Sequence, residues 1–498
     1  MRTSINPQMQ LGEVDISKIT FDQKSRDDIP KILKALQYLY TDLEIREKLF
    51  KILEKYLLPE KDKKNGRPGM EHWRIFVLAI LRLNLNCDYD RLHELANNHS
   101  ILRQMLGHSS VFDKHYYEVQ TIKDNVGLLT PEILDEINQL VVKMGHALLK
   151  KNETPLKGRC DSFVVETNVH YPTDINLLLD AMRKVVFLTG SLCEDAHLTD
   201  WRQYHYNFKC MKKLMRKAQD KKRGNPKSEI GKHKKEQEIK VAHQNYITTA
   251  SEFLDKAKAT LLKINDGNLL TEVRKMEVEK FIKHAERQIN QIERRVLLGE
   301  TIPHEEKVFS IFQPHTEWIS KGKAGVPFEL GLRVCVFEDH HQFILHHQVM
   351  EKQSDEEIAI LITEETKKRF PHLFQASYDR GFHSPSNREE LPKILEKVVM
   401  PRKGKLSKQA LELENSKDFL KARRQHSAVE SVINALEVHG LDFCPDHGIK
   451  GFKRYVALAI VGYNLGRIGA ILKAREQKIL ERKRQKLRVR EPVLKLAA

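Results

Sequence analysis

Short apolar runs recur along the chain, and the order in which they come constrains the fold more than any other feature. Arg159 to Tyr171 sets Phe163, Val165, Val169 and Tyr171 on one parity, the pattern of a half-buried strand. Lys307 to Phe312, Phe328 to Glu338, Gln342 to Met350, Leu373 to Asp379 and Val398 to Met400 are rich in Val, Ile, Leu and Phe and read as further strands. Asp339-His340-His341 supplies a polar turn between two of them. Helices fall between the later strands. Ser354 can cap one running from Ile358 to Lys368, and Ser384-Pro385 opens another, with Pro at the first helical position. Phe419 to His439 reads as a helix ended by Gly440, and Phe452 to Leu472 as an apolar one. The expected class is therefore α/β, a mixed sheet with flanking helices.

The strand at 159–171 stands far from the rest, across a long polar stretch that reads as helical from Trp201 to about Glu300. Residues 201–240 hold 14 Lys and Arg against 4 Asp and Glu, with Tyr204, Tyr206, Phe208 and Met211 interleaved. A one-signed excess of this kind favours an arm facing nucleic acid over an ordinary solvated helix, and Lys212, Lys213 and Arg216 are its candidate phosphate contacts. The whole chain of 498 residues carries 85 basic against 68 acidic side chains, a net charge of +17, which also suits a polyanionic partner. Scattered cysteines with no Cys-x-x-Cys pair argue against a disulfide framework and for a reducing cytoplasm. No run of about 18 apolar residues and no signal segment is read, so a membrane partner is not expected.

Residues 1–150 read as a helical domain. Met70 to Leu85 is strongly apolar, Asn86-Cys87-Asp88 breaks it, and Tyr89 to Asn97 resumes at helical spacing. Ser100 can cap a third short helix, Ile101 to Leu106, closed by Gly107. Helix, short turn and helix is compatible with a helix-turn-helix DNA reader, and equally with a plain bundle. Before it, the basic linker around Arg67 is placed to touch phosphates. Trp201 and Trp318 could each stack on a base, although a core or surface role is more usual for tryptophan.

Three acids carry the chemistry. Asp161 shares the parity of the buried face of its strand, Asp379 ends the strand from Leu373, and Glu430 lies on the helix from Phe419. A carboxylate at the inward end of a half-buried strand is costly unless something neutralises it, and a metal ion would do so. On the late helix Val429, Val432, Ile433 and Leu436 form the buried stripe, while Arg423, His426, Glu430, Asn434 and Glu437 flank it. Glu437 is the alternative third acid. Thr173 or Asp174 reads as the cap of the helix that follows Pro172, Glu166 as an exposed strand residue, and His383 as a turn residue.

Prefixing the strand at Asp161 to the later succession gives the element order of an RNase H-like fold, in which the first strand is central and the fourth lies beside it. Asp161-Ser162 with Glu166-Thr167-Asn168-Val169-His170-Tyr171-Pro172-Thr173-Asp174, then Tyr378-Asp379-Arg380-Gly381-Phe382, then His426-Ser427-Ala428-Val429-Glu430 resemble bacterial insertion-sequence transposases of the DDE type. The resemblance spans about residues 60–470. It implies an RNase H-like catalytic domain at 151–175 and 305–472, interrupted by a basic helical insertion at 176–304 and followed by a basic tail at 473–498. It further implies Asp161, Asp379 and Glu430 as catalytic residues holding Mg²⁺ or Mn²⁺ for two-metal phosphodiester chemistry. Double-stranded DNA, as terminal inverted repeats and target, is the implied substrate, handled by a homodimer or larger assembly in the bacterial cytoplasm near the nucleoid. Related transposases carry Tyr and Arg upstream of the Glu and Lys downstream. Here Arg423, His426 and Glu437 stand at those offsets, so gripping the scissile phosphate is expected of Arg423 or His426. The insertion follows the first Asp rather than the second. A nuclease of the same fold, or an inactive DNA-binding descendant, is the alternative the resemblance leaves open.

Overall fold

The computed structural model describes residues 3–5, 8–9, 11–22, 24–57, 69–109, 111, 114–150, 154–264, 267–320 and 327–495, with side chains to residue 485. Its contacts divide it into two compact units, Met1–Asn168 with Ile319–Ala498, and Val169–Trp318. The first unit takes in both the N-terminal helices, expected as a separate domain at 1–150, and the sheet.

That sheet has seven strands: β1 (Leu156–Thr167), β2 (Glu317–Ser320), β3 (Phe328–Asp339), β4 (Ile344–Met350), β5 (Leu373–Tyr378), β6 (Lys397–Val399) and β7 (Phe443–Cys444). It is mixed. β1 runs antiparallel to β3, and β3 antiparallel to β4, while β1 is parallel to β5 and β5 to β6. On its β5 side β1 changes partner along its length: Leu156–Cys160 pair with β5, and Glu166–Thr167 with β7. The stretch between, beginning at Asp161, borders the gap between those two partners. Gly331 is required opposite that half of β1, because a Cβ there would lie 2.0 Å from the Val165 carbonyl oxygen.

Helices 355–369 and 448–495 pack on this sheet together with helix 131–149. A buried amide pair joins them to β4. Asn464 Nδ2 donates to Asn138 Oδ1 at 2.7 Å and to the Ile344 carbonyl at 2.9 Å, while its Oδ1 accepts from the Ile344 N–H at 3.0 Å. Helix His72–Asn84 is buried at every position but Arg74, as a helix apolar on all sides must be. Helix 448–495 contains an 18-residue window of mean hydropathy 1.5, apolar and long enough to cross a membrane by composition, contrary to the expectation of no such run. Two-thirds of that window (67%) is buried within the protein.

Other expectations are corrected. Lys307–Phe312 is not a strand: Ile311 is buried and Val308 partly buried against the helices of the second unit, so their apolar faces are covered without strand pairing. The short helix Ser100–Met105 is capped by His99, whose Nδ1 accepts from the Leu102 N–H, rather than by Ser100. The helix expected from Phe419 to His439 is divided into Lys417–His426 and Ala428–Leu436, followed by a π turn in which Gly440 takes φ +98°. Of the two caps offered for the helix Asp174–Asp195, Thr173 is the one used, its side chain accepting from the Asn176 N–H. The second unit holds that helix with Tyr204–Lys221, Glu229–Lys263 and Leu269–Ile292 around its own apolar core.

Candidate functional site

The register of β1 and β5 sets the first two acids side by side. Their last paired residues are Cys160 and Tyr378, so Asp161 and Asp379 are the next position on adjacent parallel strands, whose axes lie about 4.8 Å apart. Residues level in register project from the same face. The helix Lys417–His426 packs on β5 and the helix Ala428–Leu436 on β1. There Asp379, Arg380, Arg423, His426 and Glu430 line one cavity of about 390 Å³, with Ser377 at its wall. Glu437, the alternative third acid, lies on the π turn outside that lining.

Asp161 is half-buried, whereas Asp379 and Glu430 are exposed. Its carboxyl is pushed up to about 7, first by burial and then by the negative charges of Asp379, Asp355 and Glu430, against the Ser162 N–H bond at 2.8 Å, which lowers it. Asp161 therefore feels three other carboxylates, and one of them, Asp355, was not singled out from the sequence. It follows the Ser354 cap at the start of helix Asp355–Arg369, where an acid is explained by the helix dipole alone. Its Oδ1 accepts from Ser162 Oγ at 2.6 Å. Arg380, inside the quoted Asp379 motif, and Ser377, just before it, were given no role from the sequence, having no patterning of their own.

His426 donates or accepts at Nδ1 with Ser377 Oγ, 3.1 Å away, and its buried Nε2 has no hydrogen-bond partner. Burial lowers its pKa, and Arg159 adds to this, outweighing Asp379 and Glu430, so the ring is neutral at pH 7. Arg159 itself pairs with Glu338, its cross-strand neighbour in register.

Among the described residues, no group of three or more His, Cys, Asp or Glu side chains is drawn together closely enough to hold a metal ion as it stands. The donor set nevertheless suits a hard divalent cation. It offers carboxylate oxygens, two of them on exposed side chains, and a third whose pKa is raised first by burial and then by surrounding negative charge. Arg67 lies outside the described residues. Lys212, Lys213 and Arg216 are exposed on the helix Tyr204–Lys221 of the second unit, opposite its buried Met211, Met215 and Ala218. Trp201 is buried in that unit's core, its Nε1 donating to Thr260 Oγ1 at 3.0 Å. Asp174 pairs with Arg295 at 2.8 Å.

Compared with family models, with curated proteins and with solved structures, the chain matches none.

Proposed function

We propose that the chain is a DDE-type transposase with an RNase H-like sheet, cutting DNA at the ends of a mobile element and joining those ends to target DNA. The observation that carries the proposal is the crowding at Asp161, whose carboxyl is raised by burial and by Asp379, Asp355 and Glu430 together. Structural acids are ordinarily paired with cations, whereas these carboxylates crowd together where Asp161, inside β1, stands beside Asp379 just past the end of β5. The strand order β4-β3-β1-β5-β6, with β1 central and β5 beside it, supports the RNase H-like reading.

Asp161, Asp379 and Glu430 would hold Mg²⁺ or Mn²⁺. The chemistry such ions supply when bound is activation of a water or 3′-hydroxyl and stabilisation of the leaving oxygen in an in-line displacement. The chain's own residues do the rest. Ser162 Oγ, donating to Asp355, fixes the side chain beside the Asp161 backbone. Arg380 and Arg423 bring positive charge to the cavity wall, suited to the non-bridging oxygens of a phosphate. His426, neutral and anchored on Ser377, lines the same cavity, and a phosphate or attacking hydroxyl would reach its unpartnered Nε2 only after the ring is uncovered. The exposed cations of helix Tyr204–Lys221 add backbone contacts that carry no sequence information.

The test is cleavage of a duplex carrying the element's genomic flanks in Mg²⁺, with a 3′-hydroxyl donor end to score joining. Asp379→Ala is expected to abolish both reactions while binding the duplex as before; undiminished cleavage by that variant would refute the assignment. Cleavage without joining would identify a nuclease on the same fold instead.

A further inference from the structure

The second unit contains a cavity that the carboxylate centre does not use. It has a volume of about 490 Å³ and one wall built of rings. His304 lies 5.4 Å from Phe309, Phe309 lies 5.8 Å from Trp318, and Trp318 lies 6.1 Å from Tyr171, centroid to centroid. Tyr171 is 56% exposed and Trp318 half-buried, so these rings are not closed into the core as Trp201 is. Arg295 and Lys307, both exposed, line the same cavity, and Asp174 stands within it, bonded to Arg295. A folded chain gains most by burying aromatic surface. A run of rings left open beside cations, with two carboxylates among them that are each already bonded to an arginine (Asp174 to Arg295, Glu300 to Arg294), is suited to a ligand that is planar, aromatic and anionic.

We infer that this cavity binds a nucleotide, its base stacked on the Trp318–Tyr171 wall and its phosphate held by Lys307 and Arg295. The volume admits a single base with its sugar and phosphate, and stacking on aromatic faces is tolerant of base identity. Asp174 is placed to accept from an exocyclic amine or ring N–H. A base paired inside a duplex cannot present its face to such a wall, so the ligand is either a free mononucleotide or an unpaired nucleotide of a strand. This inference does not depend on the carboxylate centre.

The full chain has three tryptophans, and the other two, Trp73 and Trp201, are buried. Intrinsic fluorescence therefore reports ligands at Trp318. The full-length protein, in EDTA and as the Asp379→Asn variant so that no cutting intervenes, is titrated with dAMP, with a single-stranded (dA) oligonucleotide and with its blunt duplex. Saturable quenching by dAMP identifies a free nucleotide as sufficient; quenching by the strand but not by dAMP identifies an unpaired nucleotide within a strand. In either case the duplex quenches least. Trp318→Leu loses the signal, so its binding is followed by equilibrium dialysis of labelled ligand, and is expected to weaken about tenfold or more. Lys307→Ala keeps the fluorophore and is expected to weaken binding several-fold, with circular dichroism confirming that both variants are folded. The inference is overturned if neither dAMP nor the strand binds saturably, if Trp318→Leu binds as tightly as the parent, or if deoxyribose 5-phosphate, which has no base, binds as tightly as dAMP.

Discussion

Replacing Asp161 with asparagine removes a charge while keeping the shape and the oxygen that accepts from the Ser162 N–H. The carboxyl is ordinarily near 3.8 and is raised in the fold to about 7, so between those values the folded chain holds a proton that the unfolded chain has released. Stability must therefore fall as pH rises through this window and level off above 7. At 1.36 kcal/mol per unit, ionisable Asp161 costs the fold about 2 kcal/mol at pH 5 and at most about 4 kcal/mol at pH 8. Asp161→Asn is thus expected to be more stable than the parent, and more so at pH 8 than at pH 5 by about 2 kcal/mol. Amide hydrogen exchange of peptides from β1 and from helix His72–Asn84 reads opening of the first unit alone, avoiding the assumption that both units unfold together. In the same assay Mg²⁺ at 100 times its dissociation constant should stabilise the parent by about 2.7 kcal/mol and leave Asp161→Asn nearly unchanged. An equal gain at both pH values, a loss of stability in the variant, or equal stabilisation of both proteins by Mg²⁺ would refute the reasoning.

A cation must displace the Asp161 proton, so Mn²⁺ affinity measured by calorimetry should rise up to about tenfold per pH unit from pH 5 to 7 and level off above. Asp446 accepts from Arg82 at 2.7 Å and from Arg454 at 3.0 Å, with Arg82 only 4% exposed. Asp446→Ala leaves that guanidinium buried and unpaired, and should cost about 3–5 kcal/mol in urea denaturation. Replacing Lys212, Lys213 and Arg216 together by Ala should lower duplex affinity alike for all sequences and reduce the slope of log affinity against log salt by about 2.7. An unchanged slope would show that this helix face does not meet phosphates.

Much of the scaffold was legible because its signals are local. The Asn86–Asp88 break, the cap at Ser354, and the Ser384–Pro385 helix start are each decided by a few neighbouring residues, and each stands in the structure. β1, β3, β4, β5 and β6 follow apolar runs whose side chains match a sheet's two faces. Where the reading failed, distant packing decided. Lys307–Phe312 has the composition of a strand, yet Ile311 lies against helices that no local pattern specifies. Two-residue β7 is too short for any periodicity, and forms because Phe443 and Cys444 come level with Glu166 and Thr167.

The same division runs through the candidate site. Asp161, Asp379 and Glu430 were recognisable from their own strands and helix and from the motifs around them, since a carboxylate on a half-buried element is chemically conspicuous wherever it falls. Asp355 was not, because an acid after a helix cap is already accounted for by its own backbone. Its nearness to Asp161 exists only once Ser162 and the Ser354 helix meet across more than 190 residues of chain. Sequence by itself determined which side chains carry charge and which segments alternate. The burial of Asp161, and which of those charges stand close enough to join it in raising that carboxyl to about 7, were decided by the sheet register and the helices packed on it, since electrostatic interaction depends on distance in space and not on separation along the chain.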